Sequence, residues 1–192
     1  MPLRFATEPG NGPALVREGL GRAAARQSPL SGSQIDFAAL ELSPPHPVYD
    51  LRADAVADGA GLESATLSGY RYLVIGQGDA VAAAEIPPDA TRLSNINYGP
   101  YVGATQQALT DVNDLPAVGA ASYEVRVLRL AAIYLMALWL KAEADGADII
   151  YPMAPAPTGL QAGTAYSAEE FLGAIRPLAQ ARVPKTGGSP VP

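Results

Sequence analysis

Two apolar runs joined by a glycine-rich connection constrain this chain more than any other feature. Tyr70 to Ile75 and Ala80 to Ile86 read as strands, and Gly76-Gln77-Gly78-Asp79 between them supplies two glycines for a tight reversal. An antiparallel hairpin over 70–86 follows, closed at its far end by Pro87-Pro88. Gly76-Gln77-Gly78 after an apolar strand also invites a dinucleotide-binding reading. That motif needs Gly or Ala where the chain has Val81, and a long helix where it has two prolines. The hairpin is the better reading.

Helical spacing surrounds this hairpin. Pro13, after Asn11-Gly12, opens a helix through Arg26 in which Leu15, Val16 and Leu20 share a face, although Gly19 and Gly21 weaken it. Residues 34–42 stay open between strand and helix: Ile35, Phe37 and Ala39 alternate, yet Ser33 with Asp36 resembles a helix cap. Pro44, Pro45 and Pro47 end either element, and Val48 to Arg52 is extended. A helix from Pro100 to Val112 stops at Asn113-Asp114-Leu115-Pro116, and Tyr123 to Leu130 alternates as a strand. Ala131 to Ala144 leaves no polar stripe, which predicts a helix buried on every side. Asp148 to Tyr151 is a short strand, and 153–166 a proline-rich loop. Ser167 with Glu170 forms a capping box for a last helix to about Arg182, interrupted by Pro177. The fold expected is α+β, an antiparallel sheet including the 70–86 hairpin with three or four helices packed on one face. At 192 residues, one globular domain over 1–182 suffices, with 1–12 a flexible arm and 183–192 a disordered tail.

Composition removes several chemistries. The chain has no cysteine, which excludes disulfides, thiolate nucleophiles, iron–sulfur clusters and sulfur-based zinc sites. A net charge of −6 argues against nucleic acid and anionic lipid, both of which select clustered Lys and Arg. Arg17, Arg22 and Arg26 read as a solvated helix face. The N-terminus lacks a signal-peptide core, and the longest apolar run, Leu130 to Leu140, is too short to span a bilayer. No membrane partner and a cytoplasmic location are expected.

Candidate sites are few. His46, the one histidine, stands near Asp50, but its proline neighbours favour a turn over a general base. Glu85 and Asp89 form a possible acid/base pair at a strand end, where solvated carboxylates are the plainer reading. Asp111-Val112-Asn113-Asp114 resembles a calcium loop but has Leu115, Pro116 and Ser122 where that loop needs an acceptor, a glycine and a glutamate. No metal site, no cofactor and no catalytic residue is assigned. Two loops suit binding. Asn95, Asn97, Tyr98 and Tyr101 offer rigid aromatic area and adaptable hydrogen bonds, while Met153, Pro155 and Pro157 offer a stiff apolar surface. The function expected is a non-enzymatic binding or assembly component contacting a protein partner or a second copy. The alternative is a small enzyme or ligand-binding protein whose site gathers scattered carboxylates, tyrosines and asparagines.

Overall fold

A computed structural model describes residues 3–26, 39–143 and 146–183. In chain order the elements are β1 (Leu3–Arg4), α1 (Gly12–Arg26), β2 (Glu41–Leu42), β3 (His46–Asp50), α2 (Ala53–Ala57), β4 (Thr66–Gly76), β5 (Asp79–Ile86), β6 (Asn95–Asn97), α3 (Tyr101–Asn113), α4 (Pro116–Ala120), β7 (Tyr123–Leu130), β8 (Leu135–Ala142), β9 (Ile149–Pro152), β10 (Tyr166–Ser167) and α5 (Ala168–Gln180). The class is α+β, with a large, mostly antiparallel sheet. Among the described residues ten strands form that sheet in the order β10-β9-β8-β7-β3-β4-β5-β6, with β1 beside β7 and β2 beside β4. Only β1 and β3, against β7, pair in parallel.

The hairpin is β4–β5, and it turns as its sequence demands. Gln77 and Gly78 both have positive φ, 56° and 92°, the backbone of a two-residue turn whose twist matches the strands. Gln106 of α3 closes this end: its side chain accepts from the Ala80 amide at 2.6 Å and donates to the Gly78 carbonyl at 2.8 Å.

Alternation along the strands divides the core in two. Tyr72, Val74, Ala82, Ala84 and Ile86 pack under Val16 and Leu20 of α1, whereas Leu73 and Ala83 meet Val102 of α3 on the opposite face. The division continues into β7 and β8. Leu128, Leu130, Leu135 and Trp139 pack against Val56 of α2 and Phe171 and Ile175 of α5, while Val125, Val127, Leu138 and Leu140 meet Ala108 and Val112 of α3 and Val118 of α4. The cross-strand partners Val127, Val48 and Gly69 carry the second face through the middle of the sheet. Helices α1, α2 and α5 thus cover one face and α3 and α4 the other, in place of the expected three or four helices on a single face. Gly19, a weak helix former, lets α1 approach closely: a Cβ there would stand 2.1 Å from the Leu93 side chain.

The expected helix over 131–144 is instead strand β8, entered from a turn at Tyr134 with φ 53°. Helices lie on both faces of the sheet at this strand, so a central strand needs apolar residues at every position, as a fully buried helix does. The expected arm is in part docked: Leu3–Arg4 pairs with Tyr123 and Glu124, and the Tyr72 hydroxyl donates to Glu8 at 3.1 Å. Of the open segment 34–42, residues 34–38 lie outside the described residues, and Glu41–Leu42 is strand. The expected tail lies outside them from 184 onward. No described helix is long and apolar enough to cross a membrane.

Candidate functional site

On the face that carries α3, charged side chains break the apolar pattern of the sheet. Arg71 stands between Tyr70 and Tyr72, Glu85 between Ala84 and Ile86, and Arg129 between Leu128 and Leu130. Register brings them together, because cross-strand partners project to the same side of a pleat. Arg71 pairs with Glu85, Glu85 with Asn95, Arg129 with both Asp50 and Met136, and Ala83 with Asn97. Glu85 bridges the two arginines, its Oε1 accepting from Arg71 Nη1 at 2.6 Å and its Oε2 from Arg129 Nη1 at 3.1 Å. Arg129 also grips Asp50 with Nε at 2.7 Å and Nη2 at 3.2 Å. These Asp50 bonds, more than the charge of Glu85, hold the Arg129 pKa above its ordinary value despite partial burial.

Burial deepens from Asp50 inward, until the side chains of Arg71 and Glu85 are 2% and 13% exposed. A buried ion pair is a poor way to gain stability, since desolvation takes back most of the attraction. Arg71 is more costly still, because its Nε is buried and has no hydrogen-bond partner. The same groups line a cavity of about 240 Å³, walled by Asn95, Asn97 and Arg129 on its polar side and by Val102 and Met136 on its apolar side. Gly99 and Tyr101 bring the start of α3 to its edge.

Three of the residues singled out by sequence, Asn95, Asn97 and Tyr101, line this cavity. Asn95 donates its amide to the Asn97 side-chain oxygen at 3.1 Å. The Tyr101 hydroxyl points to two carbonyls, those of Tyr134 and of Pro155, the latter at 2.8 Å. The two loops chosen from sequence therefore touch through Tyr101 and Pro155. Burial raises the pKa of the Tyr101 hydroxyl. Tyr98 lies outside the lining and is 59% exposed. Met153 packs in the core beneath α3, and Pro157 sits in the turn that ends at Leu160. Sequence reading missed Arg71 and Arg129. The signal available was a single charge flanked by apolar residues within a strand expected to be buried.

The other candidates resolve into structural roles. His46 is fully buried, with its ring edge-on to Phe5 at 5.6 Å and its Nδ1 at 3.2 Å from the Arg71 carbonyl. Asp50 is held by Arg129 instead. Asp89 accepts from Thr91 in an exposed turn, whereas Glu85 accepts from Arg71 and Arg129. Among the described residues no group of three His, Asp or Glu side chains is placed to hold a metal. A larger groove of about 720 Å³ opens on the opposite face, where the Arg126 guanidinium lies 4.7 Å from the Tyr49 ring and 4.9 Å from the Trp139 ring. Its cations are already engaged: Arg126 grips Glu124 with two bonds of 3.0 Å, and Lys141 reaches Asp148 at 3.1 Å. The smaller cavity is thus lined by Arg71, whose buried Nε has no hydrogen-bond partner. No protein-family model, curated protein or solved structure matches the chain.

Proposed function

We propose that the chain binds a small polar molecule in the cavity between the start of α3 and the β4–β5–β7 face. The observation that carries this reading is Arg71, a buried guanidinium with an unpartnered Nε in the wall of a cavity that also holds Glu85, Asn95 and Asn97. A permanently ionised side chain in such a place is costly to the fold, and a ligand that accepts its hydrogen bonds offsets that cost. Glu85 is held between two arginines and His46 is sealed away, so the arrangement favours holding a ligand over transforming one. A melting-temperature screen of small polar metabolites tests the reading, because a ligand at about 100 times its Kd adds roughly 2.7 kcal/mol to stability. At least one compound raises the melting temperature of the wild type, and Asn97→Leu diminishes the rise. A screen without a stabilising compound, or one whose stabilisation survives in both Asn97→Leu and Arg71→Gln, overturns the proposal.

A second reading, contact with a protein partner or a second copy, is favoured by two exposed aromatics. Tyr98 is 59% exposed and Tyr134 is 81% exposed in a left-handed turn. The Tyr101 hydroxyl ties the turn at Tyr134 to the loop at Pro155. Tyrosines on backbone held this firmly are suited to hot-spot contacts. Tyr98→Ser with Tyr134→Ser abolishes self-association or pull-down on this reading and leaves the melting temperature unchanged. Undiminished association removes it.

A further inference from the structure

We infer that the ligand is a zwitterion of the size of a small α-amino acid, an inference that rests on the cavity being a ligand site. Charge comes first. Arg71 and Arg129 are matched by Glu85 and Asp50, so the cluster is neutral before anything enters. A singly charged ligand would leave one charge uncompensated beside groups as buried as Arg71 and Glu85, at high desolvation cost.

Hydrogen-bonding capacity is nevertheless unspent on both sides. On the donor side stand Arg71, which lines the cavity and whose Nε is unpartnered, and the start of α3. That helix has 13 residues, its N-cap is Pro100 with no side-chain cap, and no acidic residue lies in its first turn. The amides of Val102 and Ala104 bond to the carbonyls of Gly99 and Pro100, while those of Tyr101 and Gly103 have no backbone acceptor among the described residues. A carboxylate is the group that a buried guanidinium and a helix N-terminus share as a preferred acceptor. On the acceptor side, each Glu85 oxygen receives one arginine bond and keeps a lone pair, and Asn95 donates one N–H to Asn97 while its own oxygen meets no donor among the described residues. These acceptors call for an ammonium group. A volume of about 240 Å³ is below the roughly 300–1,000 Å³ that holds drug-sized ligands. A peptide or nucleotide is therefore too large, and Val102 and Met136 leave an apolar wall for a short side chain.

Calorimetric titration of the full chain at pH 7 with L-alanine, propionate and ethylamine tests the inference, since these share a short skeleton and differ in which charged group is missing. Glycine, L-serine and L-valine extend the zwitterion arm. At least one zwitterion binds about tenfold or more tightly than both propionate and ethylamine, as expected for the loss of a hydrogen-bonded charged group. Asn95→Leu, an exposed edge-strand change outside the ion network, reduces that preference over propionate roughly two- to tenfold. Propionate binding as tightly as the zwitterions, or a ratio untouched by Asn95→Leu, overturns the inference and leaves the cavity reading standing. So does silence from all these compounds when another small molecule from the screen binds. Silence from every small molecule overturns both.

Discussion

His46 shows how one buried nitrogen sets a pH dependence. A carbonyl only accepts, so the Nδ1 that meets the Arg71 carbonyl carries the proton of the neutral ring. Nε2 is then the bare nitrogen, buried without a partner. Desolvation is the main reason its pKa falls from 6.5 to about 4, with the nearby Arg71 charge adding to the fall and the carbonyl bond opposing it. Between those values the unfolded chain takes up a proton that the folded chain refuses. The stabilisation is complete above pH 6.5 and is lost as pH falls toward 4, an amount on the order of 3 kcal/mol. Urea melts between pH 7 and pH 4 should show that loss, and His46→Phe should flatten it. Equal slopes in the two proteins would assign the acid sensitivity elsewhere. Glu85 makes a second residue-scale case. Glu85→Leu strands Arg71 in the interior and should cost about 3–5 kcal/mol, Arg71→Met likewise deprives Glu85 of its partner, and the two changes together should recover most of the loss. Denaturant midpoints of the wild type, the two single variants and the double variant measure the coupling, and additive losses would show that the pair does not act as a unit.

Strand β8 carries the sharpest test at the level of elements. Trp139 packs between α2 and α5, and its Nε1 donates to the Asp148 carboxylate at 2.9 Å. Its fluorescence should be blue-shifted and poorly quenched by acrylamide, and Trp139→Ala should cost about 3–5 kcal/mol. A red-shifted, readily quenched signal would contradict the packing. The same strand shows where sequence reading loses its grip. Elements with a local signature were legible: the capping box of Ser167 and Glu170 forms at the start of α5, and the positive φ of Gln77 and Gly78 closes β4–β5. In β8 the deciding influence is tertiary, since helices on both faces erase the period-2 pattern that marks a half-buried strand. The site divides in the same way. Asn95, Asn97 and Tyr101 stood out because they cluster in one polar stretch. Arg71 and Arg129 are 58 residues apart in the chain and meet only through the pairing of β3 with both β4 and β7. No short-range pattern encodes that neighbourhood.

At the scale of the whole molecule, the described interior is held by apolar packing, strand pairing and ion pairs, of which Arg71–Glu85 is the most deeply buried. Thermal melts with and without chelator should therefore coincide, and a drop of several degrees on adding chelator would expose a metal that only the native state holds. The seating of β3 matters more. It joins two antiparallel groups, each continuous in sequence, β4–β6 from residues 66–97 and β7–β10 from residues 123–167. Val48 meets Val127 across 79 residues of chain, so this contact carries a large loop-closure cost. One consequence is that the protein is divisible. A break after Asp114 leaves β3, β4–β6 and α3 on one piece, with β7–β10, α4 and α5 on the other. The first piece then presents a bare strand edge and the underside of a helix, which is the template its complement needs. Co-expressed fragments 1–114 and 115–192 should co-purify as one species, whereas two fragments that never associate would show that the halves cannot find each other without the covalent tether. Arg71 and Glu85 belong to the first fragment and Arg129 to the second, so neither piece owns the cavity, and only their reunion restores it.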